Sequence, residues 1–165
     1  MTILPPFQQL VDAHWRDVAR LAHALAGPVD GDDVAQQAWT QALAAYPSLT
    51  SGRNLRGWLM TITARCATDS YRARSRRPVP VATLLDAPTT AGADEVAGER
   101  ILDGVLWARV RTLPERQRTA LALRYVADLD HAAIARVLGP TPTATRRLVS
   151  DALAALRRTE GAPRP

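Results

Sequence analysis

From Pro78 to Gly98 the chain carries three prolines, two glycines and no apolar stripe at helical spacing. Proline removes an amide donor and fixes φ, and glycine adds backbone entropy, so such a stretch does not continue a helix. It is also longer than an ordinary connection inside a compact domain. The segment reads as a flexible linker, 78–98, between an N-terminal part, 1–77, and a smaller C-terminal part, 99–160. Both flanks are rich in alanine, and only 5% of the 165 residues are aromatic. That composition favours small, closely packed helices over strands. The expected fold is all-α: two small helical domains, the C-terminal one a helix-turn-helix.

Apolar spacing supports this element by element. Phe7, Leu10, Val11, Val18, Leu21, Ala22 and Leu25 follow the i, i+3, i+4 rhythm, with Gly27-Pro28 as a stop. Asp30 or Asp32 suits the cap of a second helix carrying Val34, Ala35, Ala38, Trp39, Ala42, Leu43 and Tyr46 up to Pro47. A third begins near Asn54 and turns Leu55, Leu59, Ile62 and Cys66 inward. A fourth, Ile101 to Arg111, presents Leu102, Val105, Leu106 and Val110. Beyond Pro114 and Glu115, Leu121, Leu123, Tyr125 and Val126 fill a fifth. Asp130 caps the next, Ala132 to Leu138, with Gly139 just past its end. Thr141 caps the last, whose inner face carries Thr145, Val149, Ala152 and Leu156. Two helices joined by so short a glycine-containing turn form a helix-turn-helix.

Charge is distributed unevenly. All 21 basic residues are arginine, against 16 acids, for a net charge of +5. Seven arginines and one acid, Asp69, lie between Arg53 and Arg77. An acidic stretch from Asp86 to Asp103 follows, and arginine dominates again from Arg109 onward. Guanidinium groups pair bidentately with phosphate and guanine and stack on bases. Two basic territories in one small chain fit two separate contacts with a polyanion. On the solvent face of the last helix, Thr143, Arg146, Arg147 and Ser150 stand where a recognition helix reaches base edges, and Arg157 and Arg158 suit either phosphate or the helix dipole.

No apolar run approaches the roughly 18 residues of a membrane span. The first residues, Met1-Thr2-Ile3-Leu4-Pro5-Pro6, carry neither the basic start nor the apolar core of a signal peptide. A cytoplasmic chain without membrane insertion is expected. Cys66 is the sole cysteine, so no intrachain disulfide or cysteine zinc site forms, and its spacing suits a core position. His14, His23 and His131 are scattered, and no phosphate loop or metal-ligand spacing is present. The expectation is therefore a non-enzyme with no cofactor and no metal.

Two stretches resemble the extracytoplasmic-function (ECF) sigma factors of bacterial RNA polymerase. Asp32-Asp33-Val34-Ala35-Gln36-Gln37-Ala38-Trp39 and its continuation to Tyr46, then Leu55-Arg56-Gly57-Trp58-Leu59-Met60 and Asp69-Ser70-Tyr71-Arg72, are similar to conserved region two. Leu113-Pro114-Glu115-Arg116-Gln117-Arg118, Leu123-Arg124-Tyr125 and the helix-turn-helix are similar to region four. The resemblance implies a transcription initiation factor whose partners are core RNA polymerase, promoter DNA and an anti-sigma factor. Asp33, Gln36, Gln37 and Gln41 would dock on core polymerase. Arg53, Arg56, Trp58, Arg65, Asp69, Arg72, Arg74, Arg76 and Arg77 would hold the minus-ten element as an opened strand. Thr143, Arg146, Arg147 and Ser150 would read the minus-thirty-five element.

Trp58 suits the core as well as an unstacked base, and Tyr71 suits stacking as well as packing. Four positions depart from the family pattern: Gln37 stands for an acid, Arg65 for a short polar residue, and Leu148 and Asp151 for arginines. Asp151 repels phosphate, which predicts weaker upstream binding. A helix-turn-helix regulator acting without polymerase is the rival function. It explains the C-terminal half but neither the acidic-glutamine helix nor the arginine block.

Overall fold

The computed structural model describes residues 3–76 and 97–160. Arg77 and positions 78–96 of the expected linker lie outside them. The described residues are helical and contain no strand: α1 Phe7–Ala45, a 3-10 turn Tyr46–Ser48, α2 Leu55–Ser75, α3 Ala97–Val110, α4 Glu115–Tyr125, α5 His131–Leu138 and α6 Pro142–Glu160. Helix α3 takes in Ala97 and Gly98, the last two positions of the expected linker.

The stop at Gly27-Pro28 is a hinge one residue long. Gly27 holds φ 86° and ψ 176°, a conformation that side chains with a Cβ resist, and Pro28 follows inside α1. Across a straight helix, Phe7 and Trp39 would stand about 48 Å apart. Their rings are instead 6.1 Å apart and edge to face, so α1 folds into a hairpin of two arms. Helix α2 packs on this hairpin, and the Tyr46 ring joins them by meeting Phe7 at 5.2 Å and Trp58 at 6.2 Å. The Tyr46 hydroxyl donates to the Pro5 carbonyl, tying the start of the chain to the end of α1.

The capping role expected of Asp30 or Asp32 is not what they do. Asp30 accepts from Arg74 Nη2, and Asp32 Oδ1 faces His23 Nε2 at 3.0 Å across the hinge. The second arm begins at Pro28, directly after the non-helical Gly27, so both aspartates lie inside it rather than at its N-cap. Asp130 and Thr141 cap as expected, and Asn54, where the third helix is expected to begin, caps it as well. Asn54 accepts from the Gly57 amide at 3.0 Å, Asp130 from Ala133 at 2.7 Å and Thr141 from Ala144 at 3.2 Å. Gly139 ends α5 at φ 84°.

The inward pattern holds for most positions. Leu10, Val18, Leu21, Leu25, Val34, Ala38, Leu59, Ile62 and Cys66 are buried in the N-terminal half, as are Val110, Leu121, Leu123, Ile134, Val149 and Ala152 in the C-terminal half. Full burial of a side chain such as Leu21 or Leu59 contributes about 1.5–3 kcal/mol. Four expected core residues are exposed: Leu43, Val105, Leu106 and Tyr125. Each sits at the edge of an apolar stripe, where spacing alone does not tell the packed flank from the open one.

Candidate nucleic-acid and polymerase interfaces

Asp33, Gln36, Gln37 and Gln41 form one exposed face on the second arm of α1. Val34, Ala38 and Ala42 of the same arm are buried against the rest of the body, which fixes that face outward. On α6, Thr143, Arg146, Arg147 and Ser150 are exposed, and Asp151 shares their side. Beneath them Thr145, Val149 and Ala152 anchor α6 against α4 and α5. The Thr145 hydroxyl is buried with no hydrogen-bond partner among the described residues.

The arginine block on α2 is arranged differently. Arg56 is partly buried: its Nε donates to Asp17 Oδ2 at 2.9 Å, and its Nη1 donates to the carbonyl of Ala127, just past the C-cap of α4. Arg72 Nη2 donates to Glu115 Oε1 at 3.1 Å, at the start of α4. Arg53 and Trp58 line a groove of about 440 Å³ whose other wall includes Leu129, Ala133 and Arg136. Arg65, Asp69 and Arg72 line a second groove of about 340 Å³, closed opposite by Glu115, Arg116 and Thr119. Arg74 pairs with Asp30 of α1, and Arg76 is exposed. Trp58 packs on Tyr46 and also lines the first groove.

Three further residues were given no individual role by the sequence. Arg118 is 4% exposed, sets its guanidinium 4.3 Å above the Tyr71 ring and donates Nη1 to the Arg111 carbonyl at 3.0 Å. Arg111 lies over the hinge, where a methyl added to Gly27 would come within 3.4 Å of its Nε. Burial, and then the neighbouring Arg118 charge, pull Arg111 below the ordinary arginine pKa. Asp17 is the third, holding Arg56 while His14 Nδ1 stands 3.6 Å from the same oxygen. Arg118 reaches Tyr71, Arg111 reaches Gly27 and Asp17 reaches Arg56 across 47, 84 and 39 residues of chain, beyond any local pattern.

Burial, and then the charge of Asp69, push the Cys66 thiol above its usual pKa, so the thiolate is scarce at neutral pH. Among the described residues no three His, Cys, Asp or Glu side chains converge as a metal site. Nor is any described helix long and apolar enough to cross a membrane.

Sigma-70 region 2 matches residues 10–77, and sigma-70 region 4 matches residues 104–156. The ECF sigma factor BldN of Streptomyces coelicolor is 28% identical over 156 residues, covering 92% of this chain and 59% of BldN. The ECF sigma factor SigJ of Mycobacterium tuberculosis is 32% identical over 142 residues, covering 80% of this chain and 44% of SigJ. The chain thus spans about half the length of these two relatives. The fold is shared with the sigma factor RpoE of Bartonella quintana, solved in complex with the anti-sigma factor NepR. That likeness has a TM-score of 0.72 and 20% identity, over 96% of this chain and 98% of RpoE. With region 2 and region 4 matched in this order across most of its residues, the chain belongs to the ECF sigma factors of the sigma-70 family.

Proposed function

We propose that this chain binds core RNA polymerase through the exposed face of Asp33, Gln36, Gln37 and Gln41 and directs it to a two-part promoter. The arginine face of α2 takes the minus-ten element as a single strand, with guanidinium groups on phosphates and Trp58 and Tyr71 offered to unstacked bases. Helix α6 enters the major groove of the upstream element, with Arg146 and Arg147 toward base edges and Thr143 and Ser150 toward the backbone. The protein positions nucleic acid and performs no chemistry of its own. It acts in the cytoplasm, and an anti-sigma factor is its expected inhibitor, as NepR accompanies RpoE. The two domains proposed for these tasks are 1–77 and 99–160.

The observation that carries this proposal is the presence of both sigma-70 modules in one chain. A regulator working without polymerase accounts for region 4 alone. Transcription with purified core enzyme on a genomic fragment library tests it. Discrete start sites sharing two upstream elements at constant spacing are expected, and an absence of chain-dependent transcripts refutes it.

A further inference from the structure

Four arginines of the C-terminal half place a guanidinium donor on a backbone carbonyl: Arg109 on Leu156, Arg116 on Leu138, Arg118 on Arg111 and Arg124 on Leu129. Leu138 ends α5 and Leu156 lies near the end of α6, so two of these carbonyls belong to the helices of the helix-turn-helix. From this we infer that Arg109 and Arg116 are positioning residues for the recognition helix, setting how α6 meets the upstream element without touching DNA themselves. The inference rests on the functional proposal above and adds specificity-determining residues to that site.

The C-terminal end of a helix gathers carbonyls without intrahelical partners and the negative end of the helix dipole, so a guanidinium suits it. Arg116 itself sits in the first turn of α4, where the same dipole disfavours a cation. Its Nη2 stands 2.9 Å from the Leu138 carbonyl, a contact at the favourable end of the neighbouring helix. That contact holds the last residue of α5 directly before the turn Gly139-Pro140-Thr141, where Gly139 takes φ 84°. Arg109 reaches from α3 to the opposite end of α6 and donates Nη2 to the Leu156 carbonyl. The recognition helix is thus fixed at both ends, the turn leading into it from α4 and its far end from α3.

Between those ends the packing of α6 is smooth. Its fully buried side chains are the small Thr145, Val149 and Ala152, with Leu148, Leu153 and Leu156 partly buried beside them, and the Thr145 hydroxyl has no partner among the described residues. Small side chains set how closely two helices approach but interlock less than large ones. The two guanidinium contacts add direction, because a hydrogen bond weakens steeply as its angle departs from linear. Arg146 and Arg147 are exposed, and a bidentate contact with a base edge tolerates little change in the helix that carries it. The same contacts divide the basic run that starts at Arg109. Of its first five arginines, Arg109, Arg116, Arg118 and Arg124 hold carbonyls and Arg111 lies over Gly27, so the phosphate-binding charge belongs to the later ones.

The test uses the full chain with Arg109→Ala, Arg116→Ala, Arg109→Lys and Arg116→Lys, read by fluorescence anisotropy across a range of salt concentrations. The probes are a duplex carrying the element that the wild-type chain enriches from a random duplex library, and a shuffled duplex of equal length. Each alanine variant is expected to lose about tenfold in affinity for the element, to bind the shuffled duplex within about twofold of wild type, and to keep the wild-type salt slope. The lysine variants keep one donor of poorer fit and should lose about threefold on the element at the same slope. Equal loss on both duplexes, with the slope lower by about one, marks a phosphate contact and overturns the inference. Variants that bind both duplexes as the wild type does overturn it too. Circular dichroism at the assay temperature shows whether the helices persist, and where an alanine variant loses them the lysine variant decides. A wild-type chain that enriches no element refutes α6 as the promoter reader and the positioning roles with it, whereas undiminished preference for the element in every variant refutes the positioning alone.

Discussion

Asn54 shows how one side chain sets an element. It adopts φ 56° at the start of α2, a left-handed conformation that asparagine tolerates better than most residues, and its side chain accepts the Gly57 amide. Asn54→Ala loses the cap and keeps the strain, so a loss of about 1–2 kcal/mol in urea unfolding is expected, while Asn54→Gly, free of the strain, loses less. The buried Thr145 hydroxyl is the opposite case, a polar group that costs stability. Thr145→Val is expected to leave stability unchanged or raise it by about 1 kcal/mol in the same experiment. Cys66 gives a pH effect of definite sign. A thiol in the unfolded chain ionises near its ordinary value of 9.0, whereas the folded one holds its proton to higher pH. Above about pH 9 the folded state therefore binds more protons than the unfolded, and the Cys66 contribution to stability falls as pH rises. Unfolding curves at pH 8 and pH 10 for the wild type and Cys66→Ala check this: the wild type should lose more on going to the higher pH.

Among the helices, α1 depends most on a single backbone geometry. Its hairpin turns at Gly27, in a region of φ and ψ almost closed to other residues, and the Arg111 side chain packs over that glycine. Gly27→Ala is expected to cost about 1–3 kcal/mol, read as a lower midpoint in denaturant. Helix α6 carries the prediction about specificity. Asp151→Arg replaces a charge that repels phosphate by one that attracts it. The variant should bind the upstream element more tightly and with a steeper salt dependence, as measured by fluorescence anisotropy. Most elements were legible because their signals are local: Asp130 and Thr141 as caps, Gly139 as a stop, the alternation of Val34, Ala38 and Ala42 as an inner face. The roles of Asp30 and Asp32 were not legible, because Arg74 and His23 compete for them from other parts of the fold. Leu43, Val105, Leu106 and Tyr125 belong to apolar stripes whose borders only packing decides.

For the whole molecule, the family could be recognised from two linear motifs, and Asp33, Gln36, Gln37 and Gln41 on α1 and Thr143, Arg146, Arg147 and Ser150 on α6 are exposed. The pairing of several arginines of α2 was not written in any local pattern. It arises from pairs such as Arg56 with Ala127 and Arg72 with Glu115, joined only when the two halves meet. Reading seven arginines as a solvated basic surface misses that several of them already have partners. The proposed function differs from that of a basic helical protein with a helix-turn-helix at one point, engagement of core polymerase. Mixing the purified chain with core enzyme and resolving the species by mass photometry measures that engagement directly. The account predicts a one-to-one complex that Asp33→Arg weakens without loss of α6 binding to duplex DNA. A chain that binds duplex DNA but leaves core polymerase unbound at micromolar concentration would contradict it.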